Sequence, residues 1–169
     1  MTEADPARDS EIDAFWAQAC RRAKLSTMPG YFGPGALESL RPPAWSFGAT
    51  SRQADELLAL VLDGTKTATA SAAWDYEAGG DELPAVGTLG IVLDGAGHPR
   101  ALLATTSVEV VPFDEVSEEH ARLEGEGDLS LAHWREVHRR FFTAHAEHEH
   151  GFVESMPVVL ERFEVLYQS

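Results

Sequence analysis

Cysteine is nearly missing from this chain of 169 residues, and the single Cys20 can form no internal disulfide. Long apolar runs are missing too. Without about 18 consecutive apolar residues or a signal-peptide core, no membrane helix or export segment is read, and a cytoplasmic protein is expected. Basic residues are scarce: 13 Lys and Arg stand against 28 Asp and Glu, a formal net charge of −15. A polyanion held by counterion release needs a basic footprint, so long duplex DNA is not an expected partner; with no apolar span, no membrane is expected either. A nucleoside or a few nucleotides in one local pocket remain compatible, because a cleft can carry a field opposite to the surface average. The glycine-rich fingerprints of dinucleotide and P-loop sites are absent as well. Gly64-Thr65-Lys66-Thr67 matches only the tail of a P-loop, and it follows a helix where such a loop follows a strand.

What is present is ordinary globular composition, 44% hydrophobic and 24% charged, which excludes wholesale disorder. One domain's worth of chain can bury roughly 70% of its unfolded surface. The most structured stretch is Thr50 to Tyr76. Ala54, Leu57, Leu58, Val61 and Leu62 form one apolar helical stripe. Thr50 with Gln53 reads as a capping box, and Gly64 as the left-handed residue that ends the helix at about Asp63. The following Thr65 to Ala70 alternates as a short strand, with Lys66 and Ala68 on one side and Thr67 and Thr69 on the other unless a twist re-aims one.

Elsewhere, residues 1 to 9 read as frayed, and a helix is expected from Ser10 to Lys24 with Ile12, Phe15, Trp16 and Ala19 on its apolar face. The next twenty residues carry Pro29, Gly30, Gly33, Pro34, Gly35, Pro42 and Pro43 and read as a connecting arm. Trp45 to Gly48 begins the sheet. Ser71 to Tyr76 is expected as a helical turn and Glu77 to Val86 as loop. Strands are expected at Thr88 to Leu93, at Ala101 to Phe113 and from Pro157 to Tyr167, with helices over Glu118 to Glu124 and from Ser130. Without a βαβ rhythm the class is α+β: a mostly antiparallel sheet or small barrel with helices outside it. The expected organisation is residues 1–44 as an N-terminal helix and arm packed on a main domain of residues 45–169.

Several side chains are candidates for chemistry. His133, His138, His145, His148 and His150 suggest a metal, but the last three sit among Glu147 and Glu149 at a helix end and read as a solvated tail; no metal and no cofactor is expected. Trp45, Trp74 and Tyr76 are candidates for stacking a base. Trp16 and Trp134, at helical spacing among apolar residues, read as core. Arg135 and His138, one turn apart, are candidates for contacting a phosphate or equally for plain surface. Lys66, between threonines at a helix-to-strand junction, presents an ammonium beside hydroxyls.

Phe47-Gly48, the Ala54 to Leu62 helix, Gly64-Thr65-Lys66-Thr67-Ala68-Thr69, Pro84-x-x-Gly87, His120-Ala121-x-x-Glu124-Gly125-Glu126-Gly127-Asp128, the Trp134 helix and Met156-Pro157 through Glu161-Arg162-Phe163 follow one another in order. Together they resemble an ASCH-domain protein of the longer bacterial type, over residues 45 to 167. The resemblance implies a PUA-like small β-barrel with helices around a cleft, and an association with RNA or modified nucleosides. It implies one of two activities, metal-independent cleavage of single-stranded RNA or hydrolysis of N4-acetylcytidine-type amides, and a non-catalytic RNA- or nucleotide-binding module is the rival from another class. The longer architecture favours RNA cleavage. Position by position, the resemblance carries catalysis to Lys66, Thr69 and Glu124; Trp45, Thr67, Trp74, Tyr76, Asp128, Arg135 and His138 are the expected substrate contacts. Ser71 stands where the shorter amidohydrolases place an arginine. Glu124 is expected either to orient Lys66 or to act as an acid, with Glu126 and Asp128 raising its pKa if they share the cleft. The N-terminal helix is expected to cover the cleft or supply a homodimer contact.

Overall fold

The computed structural model describes residues 5–23 and 41–169. The proline- and glycine-rich arm therefore lies outside the described residues, apart from its last positions. The elements are α1 (Pro6–Arg22), β1 (Ala44–Trp45), α2 (Ser51–Leu62), β2 (Ala68–Ala72), α3 (Ala73–Gly79), β3 (Leu89–Leu93), β4 (Pro99–Pro112), α4 (Glu118–Glu124), α5 (Leu131–His145) and β5 (Pro157–Gln168), with a 3-10 turn at Phe113–Glu115. The strands pair in the order β1-β3-β4-β5-β2. β1 runs parallel to β3, whereas β3 with β4 and β2 with β5 are antiparallel. The class is α+β, as expected. In detail the sheet is mixed, and it stays open with β1 and β2 as its two ends instead of closing as a barrel.

By packing, the described residues fall into two units. The first comprises the described residues up to Leu62, Leu89–Ala104 and Val165–Ser169. Its core is the apolar face of α1, where Ile12, Phe15, Trp16, Ala19 and Cys20 meet Ile91, Leu102 and Tyr167. The Phe15 and Tyr167 rings lie 5.3 Å apart. α1 starts four residues earlier than the expected Ser10, because Asp5 accepts the Ala7 N–H and Pro6 supplies a preset φ in the first turn. That start also draws residues read as frayed into the helix. α2 begins as expected: Thr50 Oγ1 accepts the Gln53 N–H at 3.1 Å, while Gln53 reaches back to the Ala49 N–H at 2.8 Å.

The second unit, Asp63–Thr88 with Thr105–Glu164, holds every candidate site residue except Trp45. Phe113, Val116, Ala121, Trp134, Phe142, Met156, Val158 and Leu160 build its core. Ala70 and Ala72 of β2 face that core, so Thr69, directly opposite Glu161 in the ladder, faces the other way. β2 starts at Ala68, three residues later than expected, since Lys66 and Thr67 are engaged with α4. α3 replaces the expected turn at Ser71 to Tyr76 and extends to Gly79, where Gly80 takes a left-handed φ of 70°.

The burial of α1 sets a measurable cost. Trp16→Ala is expected to lower unfolding free energy by about 3–5 kcal/mol, read by urea denaturation. A change below about 1 kcal/mol contradicts the packing of α1 described here.

Candidate functional site

The site is built from two helix ends and the segment before β2. Ser117 caps α4 through the His120 N–H at 3.1 Å, and Ser130 caps α5 through the His133 N–H at 3.1 Å. On α4 the i, i+4 spacing puts His120 and Glu124 on one buried face; on α5 it places the part-buried His138 one turn beyond the buried Trp134, on the same side. α4 ends at Gly125 with φ 72°, and its N–H returns to the Arg122 carbonyl at 3.0 Å. A Cβ at Gly125 would come within 2.6 Å of the Thr65 carbonyl oxygen. Only glycine fits both the backbone conformation and this approach. The approach lets Thr67 N–H donate to the Leu123 carbonyl at 2.8 Å and delivers Lys66 to the end of α4.

Lys66 is 2% exposed. Its Nζ donates to the Glu124 backbone oxygen at 3.4 Å and to Glu126 Oε2 at 3.2 Å. The Glu124 side chain, 1% exposed, lies among three aromatic groups. Trp134 Nε1 donates to Oε2, His138 Nε2 stands 3.1 Å from the same oxygen, and His120 Nε2 lies 3.2 Å from Oε1. The His120 ring nitrogen approaches Oε1 out of hydrogen-bond alignment. His138 Nδ1 is 2.8 Å from the Trp134 carbonyl, and its ring stacks on Trp134 at 4.2 Å and 16°.

Burial alone would push the Glu124 carboxyl up. The charge of His138, the close approach of His120, hydrogen bonding from His138 and the charge of Lys66 outweigh it and hold the pKa well below the ordinary value. Glu124 is therefore held ionised, the direction opposite to the rise expected if its acidic neighbours shared the cleft. The same balance works on His138: burial favours the neutral ring, but the Glu124 charge and hydrogen bond, then the Trp134 carbonyl, raise its pKa. A doubly donating imidazolium is the form that satisfies both of its neighbours.

Lys66 and Glu124 are thus adjacent, and His138 joins them. Thr67 Oγ1 points to the Leu123 carbonyl at 3.4 Å. Thr69 stands across from Glu161, whose carboxyl accepts from Thr105 Oγ1 at 3.2 Å and is raised by burial against that hydrogen bond. Asp128 accepts the Ser130 N–H at 2.9 Å, and Arg135 donates to the Asp114 carbonyl at 3.1 Å. Tyr76 OH lies 3.0 Å from Ser71 Oγ. Trp45 is exposed in the first unit, edge-on to Phe47. Trp74 contacts His148 and His150. His148 is buried, against the expectation of a solvated tail.

Sequence reasoning missed Glu126 as the carboxylate on Lys66, and His120 and Trp134 as partners of Glu124. The i, i+4 pairs His120/Glu124 and Trp134/His138 were the available signal; which way each helix face turns was not. Among the described residues, Glu124, Glu126 and His138 offer ligand atoms within 4.8 Å of one another. A divalent cation there would have to take Glu126 from Lys66 and sit beside an ammonium, so protons satisfy these atoms at lower electrostatic cost.

The two shifts fix a pH window. His138 is raised from 6.5, so its contribution is full below about pH 6.5 and is lost as pH climbs through the higher folded value. Glu124 is depressed from 4.5, so its contribution is full above about pH 4.5 and is lost as pH falls through the lower folded value. Thermal melts of Glu124→Gln should therefore lose the alkaline decline expected of wild type. Removing the buried charge should also cost about 3–5 kcal/mol at pH 6. Gly125→Ala should cost roughly 1–3 kcal/mol through its left-handed conformation. Parallel pH profiles for wild type and Glu124→Gln contradict the coupling.

The sequence matches the ASCH domain model over residues 43–167. Among solved structures, the ASCH domain from Lactobacillus crispatus JV V101 is 32% identical, covers 94% of this chain and 96% of its own, and superposes with a TM-score of 0.76. Protein EF3133 from Enterococcus faecalis V583 is 34% identical, with 92% and 88% covered and a TM-score of 0.78. No curated protein matches. The α+β architecture with one mixed sheet is that of the solved ASCH relatives. By its sequence and its fold, this chain belongs to the ASCH domain family.

Proposed function

We propose that this protein cleaves single-stranded RNA without a metal ion, using the Lys66–Glu126 pair as its acid and base. The observation that carries the reading is a buried ammonium hydrogen-bonded at 3.2 Å to a carboxylate that is itself 24% exposed. Glu126 is the open member, so substrate approaches from its side. The Glu126 carboxylate takes the proton of a ribose 2′-hydroxyl as that oxygen attacks phosphorus. Lys66 stabilises the charge on the phosphorane and gives a proton to the departing 5′-oxygen as the P–O bond breaks. Transfer of the proton from Glu126 to Lys66 across their contact restores the pair. Glu124 and His138 are positioning residues here: the Glu124 carbonyl holds Nζ, and both His138 nitrogens face inward. Thr69, on the other face of β2, takes no part in this step.

The same pair can polarise an acetyl amide and activate water, so the substrate assay decides between reactions. Full-length protein in EDTA would be given a short single-stranded RNA and, separately, N4-acetylcytidine. RNA cleavage to 2′,3′-cyclic phosphate ends is expected, reduced about 100-fold or more in Lys66→Ala and Glu126→Gln with circular dichroism unchanged. Turnover of N4-acetylcytidine alone makes it an amidohydrolase; binding without product makes it a binding module. Loss of activity in EDTA points to a cation at Glu124, Glu126 and His138, and full turnover by Lys66→Ala removes Lys66 from the chemistry.

A further inference from the structure

Outside the Lys66 pair, one half-buried acid of the second unit has no part in the proposed cleavage. Glu161 stands on β5 directly across the ladder from Thr69 of β2. Its Oε2 accepts the Thr105 hydroxyl at 3.2 Å, whereas Oε1 meets no donor among the described residues and reaches solvent. No lysine, arginine or histidine among the described residues pairs with it, and the neighbouring Arg162 turns to Glu119 at 3.5 Å. Burial raises this carboxyl against the Thr105 hydrogen bond. A carboxylate drawn out of water without a cation is costly, and donors from a ligand recover that cost.

The groups around Glu161 are hydroxyls. Residues two apart on a strand share a face, so Thr69 and Ser71 lie on the side of β2 away from Ala70 and Ala72, which meet the core. Thr69 Oγ1 has no hydrogen-bond partner among the described residues and is open to solvent. Ser71 Oγ lies 3.0 Å from the Tyr76 hydroxyl. Burial raises the Tyr76 phenol against that hydrogen bond, and the charge of Glu161 adds to the rise, so the two side chains are near neighbours. Thr105, 7% exposed, closes the set from β4.

This set discriminates by chemistry. One carboxylate without a cation repels phosphate. A hard divalent cation takes about six or more oxygens, usually from several carboxylates, and here one carboxylate is offered. An ammonium suits Glu161 but has no lone pair for the Thr69 hydroxyl to donate to. A ligand hydroxyl does both: it gives its proton to the carboxylate and accepts one from Thr69. Two hydroxyls on one side of a five-membered ring can use Oε1 together with the second lone pair of Oε2, as acidic side chains do with a ribose in nucleotide sites.

We infer that this face of β2 and β5 binds the 2′,3′-diol of a ribose, with Glu161 accepting both hydroxyls and Thr69 donating to one of them. Such a site tells ribose from deoxyribose. It is separate from the Lys66 pair, and the inference does not rest on cleavage there.

The test is calorimetric titration of the full chain with adenosine, 2′-deoxyadenosine, 3′-deoxyadenosine, methyl β-D-ribofuranoside and spermidine. Adenosine should saturate, and each deoxynucleoside should bind about 10-fold more weakly or worse, since the site then loses a hydrogen bond to a charged group. Ribofuranoside binding equal to adenosine makes the free sugar the source of the diol; tighter binding of adenosine makes it a nucleoside. Glu161→Gln should weaken adenosine about 10-fold with circular dichroism unchanged, and so should the milder Thr69→Val, which keeps a β-branched residue in the strand and removes the donor. Lys66→Ala should bind adenosine at wild-type strength. No saturation by adenosine or the ribofuranoside, equal binding of both deoxynucleosides, or unchanged affinity in both Glu161→Gln and Thr69→Val overturns the inference. Spermidine that displaces adenosine overturns it in favour of an amine site, and adenosine binding lost in Lys66→Ala but kept in Glu161→Gln overturns it by moving the ligand to the Lys66 pair.

Discussion

A carboxylate sealed from water needs donors and opposite charge close by, and that requirement at Glu124 arranges much of the second unit. One oxygen takes Trp134 and His138 from α5, and the other faces His120 from its own helix. An ionised group in such surroundings tolerates little displacement, because losing one donor exposes the full desolvation cost of the charge. The two helices are thereby held in register by polar atoms and not by apolar packing alone. Ser117 and Ser130 then fix where each helix begins. Gly125 permits the close passage of the Thr65 backbone that carries Lys66 to the same point.

Stability alone gives a weak account of this arrangement. Replacing a buried ion pair by well-packed apolar groups of equal volume is often neutral or favourable by about 1–4 kcal/mol. The second unit has apolar material close by, with Trp134 and Ala121 both in the core cluster. Burying Lys66 and Glu124 together in that setting costs desolvation energy that leucines would avoid. A geometry that spends free energy to keep an ammonium and an accessible carboxylate 3.2 Å apart is the kind found where charge is used.

Local signals in the sequence were legible to within a few residues. The Thr50–Gln53 cap, the stripe from Ala54 to Leu62 and the Gly64 stop define α2, because each acts over one helical turn and needs nothing from the rest of the chain. The start of α1 at Pro6 was misplaced, since Ser10 and Asp5 are both competent caps and only packing selects between them. The open edge between β1 and β2 could not be read either, as strand patterns specify faces and not which strands remain unpaired. At the site, pattern and resemblance brought Lys66 and Glu124 together, but not the roles of their atoms. Nothing in a spacing tells that Glu124 offers its carbonyl to Lys66 and its carboxylate to histidines. His148 was misjudged for a related reason: it stands in a run of charged residues, and its burial depends on α3, some seventy positions earlier.

The layout of β2 bears on which substrate suits the second unit. Lys66 precedes β2 and Trp74 follows it, and five strand residues at about 3.3 Å each put roughly 16 Å between the ends. The formal charge of −15 rules out an affinity built mainly on phosphate contacts and counterion release. The cleavage proposed at Lys66 therefore needs contacts other than phosphate pairing to hold its substrate, since the chain as a whole is acidic.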